Sequence, residues 1–268
     1  MTLQRHNKLY KSMLAISGLV SVLLAWSLVT YTGFIKPFFL PTPTSVVSAA
    51  VSLFVSGGLI ADASASVSRI LLGFLVSLAI SLPIGILLGV SRMFEAFVKP
   101  VIAFVRYIPP SAFIPLAIIW FGIGDSQKIA ILVIGIAPYL ALLIADAAIN
   151  TPLELIDAGR ALGANRINTI FKVILPSSLP GIWDACRLMI GAGWTFVIIA
   201  EIVGASSGLG HLMIESQRFL RTANIFAAII IIGFLGLITD YFFEITYKLL
   251  FPWSEKTHAG IETHYKSV

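Results

Sequence analysis

Six stretches of the chain are apolar for long enough to cross a bilayer, at about residues 13–31, 68–90, 101–121, 129–149, 182–203 and 225–251. A hydrocarbon core about 30 Å thick takes roughly 20 residues in helical form. Backbone groups deprived of water need partners within the protein, so helices are the economical structure. No run of about ten residues alternates as a barrel strand would. The pattern predicts an all-α polytopic membrane protein of about six helices, a single transmembrane domain over residues 1–268. One polar connection, at about 151–176, is long enough to hold structure of its own.

The first apolar run follows Arg5, Lys8 and Lys11, like the charged start of an export signal. It continues through Val29, past the roughly 7–15 residues of a signal core, and no A-x-A site follows. The segment is therefore expected to stay as a membrane helix.

Composition supports the membrane assignment. Charged residues make up 12% and hydrophobic residues 58%, and mean hydropathy is +0.96. Soluble domains carry about 25% charged residues, so too few charges remain to coat a water-facing surface. The net charge of +5 is dispersed between apolar runs rather than gathered in one patch, which argues against nucleic-acid binding. Its placement predicts orientation instead. With the N-terminus inside, the inner connections hold Arg5, Lys8, Lys11, Arg92, Lys99, Arg160, Arg166, Lys172, Lys248, Lys256 and Lys266. The outer ones hold Lys36, Arg69, Lys128, Arg218 and Arg221. Both termini are then expected in the cytoplasm. A lone cysteine, Cys186, has no intramolecular disulfide partner.

The connection at 151–176 is the most informative stretch. Thr151 followed by Pro152 reads as an N-cap and first helical turn. Leu155, Ala158 and Leu162 recur at helical spacing, Gly163 breaks the helix, and a second short amphipathic helix spans about 165–173. Pro176 and Pro180 are expected to close it before the fifth span. A helix–glycine–helix elbow suits docking into a groove of another protein.

This segment resembles the EAA loop of binding-protein-dependent ABC import permeases: E-A-A, three residues, G, nine residues, I-x-L-P. Asp157, Ala158 and Gly159 stand at the E-A-A places, Gly163 at the glycine, and Val173, Leu175 and Pro176 in I-x-L-P. Asp for Glu, Gly for the second Ala and Val for Ile are conservative departures. Leu40-Pro-Thr-Pro43, Arg106-Tyr-Ile-Pro-Pro110, Trp120-Phe-Gly-Ile-Gly124, Gly193-Trp194 through Ala200-Glu201, and Gly208-Leu-Gly210 resemble the taurine, alkanesulfonate, nitrate and bicarbonate permeases. The resemblance covers about residues 40–253.

It implies a type I ABC importer permease fold in the bacterial inner membrane. It implies a homodimeric core, two ATP-binding-cassette ATPase subunits, and a periplasmic or lipoprotein substrate-binding protein. The cargo would be a small polar or anionic solute, sulfonate- or taurine-like in the favoured case. ATPase coupling would fall to Asp157, Ala158, Gly159, Leu162, Gly163, Ala164, Arg166, Leu175 and Pro176.

Charge within a bilayer costs about 2.5–3.5 kcal/mol on insertion scales, so ionisable residues in spans are functional candidates. Arg106 is a candidate either for the pathway, with Tyr107, Pro109 and Pro110 and beside Trp194, or for an anchor at the inner interface. Glu201, late in the fifth span, suits a helix-packing or gate hydrogen bond. Arg187 is read as an interfacial anchor paired locally with Asp184, and Gly85 and Gly89 as a close-packing pair. No Walker A loop is present, so ATP and its magnesium are expected on the partner subunit, and His211 alone makes no metal site. An ion-coupled secondary transporter would call for internal repeats and midplane carboxylates. A membrane enzyme would need a catalytic constellation in the spans. Neither pattern is evident.

Overall fold

The computed structural model describes residues 2–254, apart from the side chains of residues 2–9, 11, 12 and 15. Lys256 and Lys266, and the side chains of Arg5, Lys8 and Lys11, lie outside that description. The described residues form helices and no strand: α1 (Thr2–Tyr31), α2 (Pro43–Val55), α3 (Gly58–Val90), α4 (Arg92–Arg106), a 3-10 turn (Pro110–Phe113), α5 (Ile114–Phe121), α6 (Asp125–Ile149), α7 (Leu153–Ala161), α8 (Arg166–Thr169), α9 (Leu175–Ile202), α10 (Leu209–Arg218) and α11 (Thr222–Leu250). Contacts divide the chain into two compact units, Met1–Asp62 with Leu212–Ile231, and Ala63–His211 with Ile232–Val268.

Among the described residues, four helical stretches are long and apolar enough to span a bilayer: Gly58–Val90, Asp125–Ile149, Arg166–Ile202 and Thr222–Leu250. The sequence-predicted third span is not one rod. Its halves, Arg92–Arg106 and Pro110–Phe121, meet at 87°. Proline forces the residue before it out of the helical region and offers no N–H. Pro109 accordingly sits extended at φ −57°, ψ 131° between the halves. The apolar part of α1, Ile16–Tyr31, falls short of 18 residues.

In the first unit, Thr42 caps α2 by accepting from the Ser45 N–H at 3.3 Å, with Pro43 in the first turn. Trp26 pins the preceding Leu40-Pro41 segment by donating from Nε1 to the Pro41 carbonyl at 3.0 Å. Its ring stacks on Phe226 at 6.2 Å, and Thr222 donates to the Phe38 carbonyl at 2.7 Å.

In the second unit α6 is the central rod, with Ile131, Leu132, Ile136, Leu140 and Ile144 fully buried. Lipid is as apolar as leucine, so close backbone approach must supply what the hydrophobic effect supplies in water. One face of α3 is therefore small: Ser66, Gly73, Ser77, Ser81 and Gly85 are buried there. A Cβ on Gly73 would meet Leu132, one on Gly85 would meet Ile144 and the Ala141 carbonyl, and one on Gly89 would meet Ala148. These pairs advance together along both helices, so α3 and α6 run parallel. Gly135 faces Phe196 and Gly181 faces Ala147, so α9 runs antiparallel to α6.

Candidate functional site

The elbow forms as a glycine turn between two helices. α7 begins at Leu153 after Pro152, one residue later than expected, and Thr151 is not its cap. Thr151 is instead buried, with its hydroxyl unpartnered. The helix ends in a Schellman motif: Gly163 N–H bonds the Arg160 carbonyl at 2.9 Å, and Ala164 N–H reaches back to the Gly159 carbonyl at 3.0 Å. Gly163 has φ +83°, a conformation costly for side chains with a Cβ. Asn165 then caps α8, its side chain accepting from the Asn168 N–H at 2.8 Å.

From Arg166 the helix continues to Ile202, so no break separates the short helix from the fifth span. Pro176 and Pro180 lie within the helix rather than closing the loop. A π segment, Ile170–Ile174, precedes them, its Leu175 N–H bonding the Ile170 carbonyl. The wider turn absorbs the donor and space that Pro176 removes.

α7 lies back on this segment where a Cβ on Gly159 would press on Val173. That contact gives a physical reason for glycine at the second alanine place of the motif. The elbow leaves Leu153, Leu162, Ile167 and Phe171 exposed, Leu162 at 89%. A cavity of about 750 Å³ opens beside it, lined by Leu155, Ala158, Gly159, Val173 and Pro176 among others. The Asp157–Arg160 pair is 3.7 Å long and exposed on both sides, so it adds little.

The bend in the third span carries Arg106. Its guanidinium lies 5.0 Å from the Tyr107 ring centroid and 5.9 Å from that of Tyr139. Nη2 donates to the Tyr107 hydroxyl at 3.2 Å, and the Tyr139 hydroxyl donates to the Arg106 carbonyl at 2.8 Å. Among the described residues the buried Nε–H has no partner. Tyr107 is exposed, whereas Trp194 is buried in α9 with its indole N–H unpartnered. Pro109 and Pro110 make the bend itself.

Glu201 belongs to a buried ionic cluster. Its carboxylate accepts from Arg69 Nη1 at 2.7 Å, from Ser66 Oγ at 2.8 and 2.9 Å, and from the Gly210 N–H at 2.9 Å. Every nitrogen of Arg69 is engaged: Nε donates to Asp125 at 2.7 Å, Nη1 also to the Ser207 carbonyl at 2.7 Å, and Nη2 to Ser207 Oγ at 3.0 Å. Ser66 Oγ in turn accepts the Leu209 N–H at 2.9 Å. The cluster ties α3, α6 and α9 to the turn that starts α10. Gly208, at φ +117°, and Gly210 leave no room for a Cβ beside Glu201, which accounts for Gly208-Leu-Gly210.

Arg69 and Lys128 are therefore not loop charges. They are 4% and 2% exposed, on α3 and α6, and Lys128 donates to the Gly124 carbonyl at 2.9 Å. Sequence reasoning missed Arg69 and Ser66 as partners of Glu201, and Asp125 and Ser207 as partners of Arg69. The available signal was an arginine one residue inside an apolar run. Arg187 likewise reaches beyond its own helix, forming a two-pronged pair with Asp240 of α11 at 2.6 Å.

Comparison with known proteins places this geometry. Residues 81–255 match the family described as binding-protein-dependent transport system inner membrane component. A probable ABC transporter permease of Brucella abortus is 37% identical, over 86% of this chain and 91% of its own. The taurine transport system permease TauC of Escherichia coli is 31% identical, over 90% and 89%. The bicarbonate transport system permease CmpB of Synechococcus elongatus is 30% identical, over 88% of each. A chain of the MetNI methionine ABC transporter, solved in inward-facing conformations, shares the fold with a TM-score of 0.67 at 23% identity, over 73% of this chain and 97% of that one. The broken third span, the glycine elbow and the family match along most of the chain lead to one conclusion: this protein belongs to the binding-protein-dependent transport inner-membrane components, as the permease subunit of an ABC importer.

Proposed function

We infer that this permease carries a small organic anion, sulfonate- or taurine-like, along a route lined by the bend at residues 106–115. The observation that carries the reading is Arg106: a cation at a break in a membrane helix, with a buried Nε–H that nothing among the described residues accepts. A donor left unpaired in a dry place costs about 1–3 kcal/mol, and an anionic oxygen passing the bend would satisfy it. The taurine and bicarbonate relatives are named for solutes that carry an anionic oxygen group, the sulfonate of taurine and bicarbonate itself. Irregular backbone at membrane depth is tolerated where it faces a cavity.

The test is uptake of labelled taurine and of an alkanesulfonate by the complete transporter, normalised to permease in the membrane. Arg106→Lys is expected to retain part of the transport and Arg106→Met to abolish it at unchanged membrane level. Full transport by the Met variant would remove Arg106 from the pathway.

In the same reading the elbow seats one ATPase subunit on each copy of a homodimeric core, through Asp157, Ala158, Gly159, Leu162, Gly163, Ala164, Arg166, Leu175 and Pro176. ATP and magnesium stay on that partner, and a substrate-binding protein delivers solute on the opposite side. Closure of the ATPases and arrival of solute would bias one two-state equilibrium.

Both termini lie in the cytoplasm in this scheme. With Arg69 and Lys128 removed from the outer count, Lys36, Arg218 and Arg221 remain there, and the inside-positive asymmetry sharpens. A cysteine at Ser126 is expected to react with an impermeant reagent in intact cells and a reporter fused at Val268 to read as cytoplasmic. Protection of position 126 would overturn the orientation.

A further inference from the structure

A second cavity, about 980 Å³, lies on the other side of the elbow, between it and the junction of α3 and α4. Arg92, Arg160 and Arg166 line it together with Ser91 and Thr169, over an apolar wall that includes Leu87, Met93 and Ile174. Neither Arg92 nor Arg166 has a carboxylate within 4 Å among the described residues, and Glu95, the acid closest along α4, is taken by Lys99 at 2.7 Å. Arg92 and Arg166 each open a helix, where the peptide dipoles already present positive charge and disfavour a cation. Only Arg160 has an acid beside it, Asp157 in an exposed pair 3.7 Å long, so among the described residues the charge of Arg92 and Arg166 is uncompensated.

We propose that the cavity binds the headgroup of an anionic glycerophospholipid, the arginines holding its phosphate and the apolar wall taking the start of an acyl chain. The position fits: α3 leaves its apolar run at Val90 and the fifth span begins beyond Ile174, so the cavity lies where a span meets water. The size fits as well, since a free phosphate would fill only part of it and leave the apolar wall wet. Basic pockets at the ends of membrane helices are suited to such headgroups. The site is independent of which solute is carried, and it shares Ala164 and Arg166 with the surface proposed to seat the ATPase, so lipid retention is read on the permease without that subunit.

The full chain, purified in mild detergent and equilibrated with phosphatidylglycerol and phosphatidylcholine, is examined by native mass spectrometry. The wild type is expected to keep phosphatidylglycerol preferentially. Arg92→Gln with Arg166→Gln should lower its retention about tenfold, as the loss of one or two charge-assisted hydrogen bonds does. Lys at both positions should restore much of it, and Lys172→Gln, which removes a neighbouring charge outside this cavity, should keep it. Arg92→Gln alone carries the test if the double variant is not recovered. Equal retention by the wild type and the Gln variants overturns the site. Displacement of the lipid by excess inorganic phosphate assigns it to free phosphate and also overturns it. Unchanged lipid retention with lost ATPase co-purification would make an acidic protein surface the occupant instead.

Discussion

Replacing Arg69 with Met is expected to cripple the fold of the second unit. The substitution removes the cation from a cluster in which Glu201 is 1% exposed and its carboxylate has no water to turn to. Breaking a buried pair by deleting one partner costs about 3–5 kcal/mol, because the remaining charge stays buried. Asp125, with its side chain 67% exposed, loses its partner cheaply. The whole penalty therefore falls on Glu201. The variant should reach the membrane at a fraction of the wild-type level and unfold at lower temperature in detergent. Adding Glu201→Leu to Arg69→Met should recover part of the loss, since no charge is then stranded. Wild-type stability of the single variant, or a double variant worse than the sum of the singles, would show that the cluster does not hold these helices together.

The second large effect is expected at Gly163. Val there must adopt φ +83° with a branched Cβ, and residues held in sparsely populated backbone regions cost about 1–3 kcal/mol. No heavy atom lies within 4 Å of the Cβ position, so crowding contributes nothing and the backbone carries the effect. The elbow sits at the edge of the unit, so the membrane helices should assemble normally while α7 loses its angle. Co-purification of the ATPase should fall about tenfold or more, at about 1.4 kcal/mol per decade, and solute-stimulated hydrolysis should fall with it. Gly163→Asn is the control, because Asn enters the left-handed region more readily. Its ATPase recovery should stay near wild type. Normal docking by the Val variant would detach the elbow from the ATPase.

These two sites differ in how far they could be read from residue order. The elbow is local. Its acid, glycine and terminal proline lie within 20 residues, and the Schellman bonds that shape it join neighbours in the chain, so spacing carried nearly all of the geometry. What spacing misjudged there was the exit. Pro176 and Pro180 read as helix breakers, yet the π segment at Ile170–Ile174 lets the helix run through them. In the third span, by contrast, adjacent prolines do what their chemistry leads one to expect: Pro109 with Pro110 breaks the helix and turns it through a near right angle.

By itself, the order of residues determined that the chain is helical and membrane-embedded, where its elbow lies, and to which family it points. Each of those properties rests on short-range periodicity or on a motif contiguous in the chain. Only the tertiary structure decided the partners of the charged groups. Arg69 meets Asp125 and Glu201 across 56 and 132 residues of chain, and Arg187 meets Asp240 across 53. A charge in a low-dielectric interior must be paired, but which opposite charge it meets depends on how α3, α6, α9 and α11 pack. That packing is set by small residues touching at close range, as Gly85 touches Ile144, and no local pattern records which helix will supply the other side.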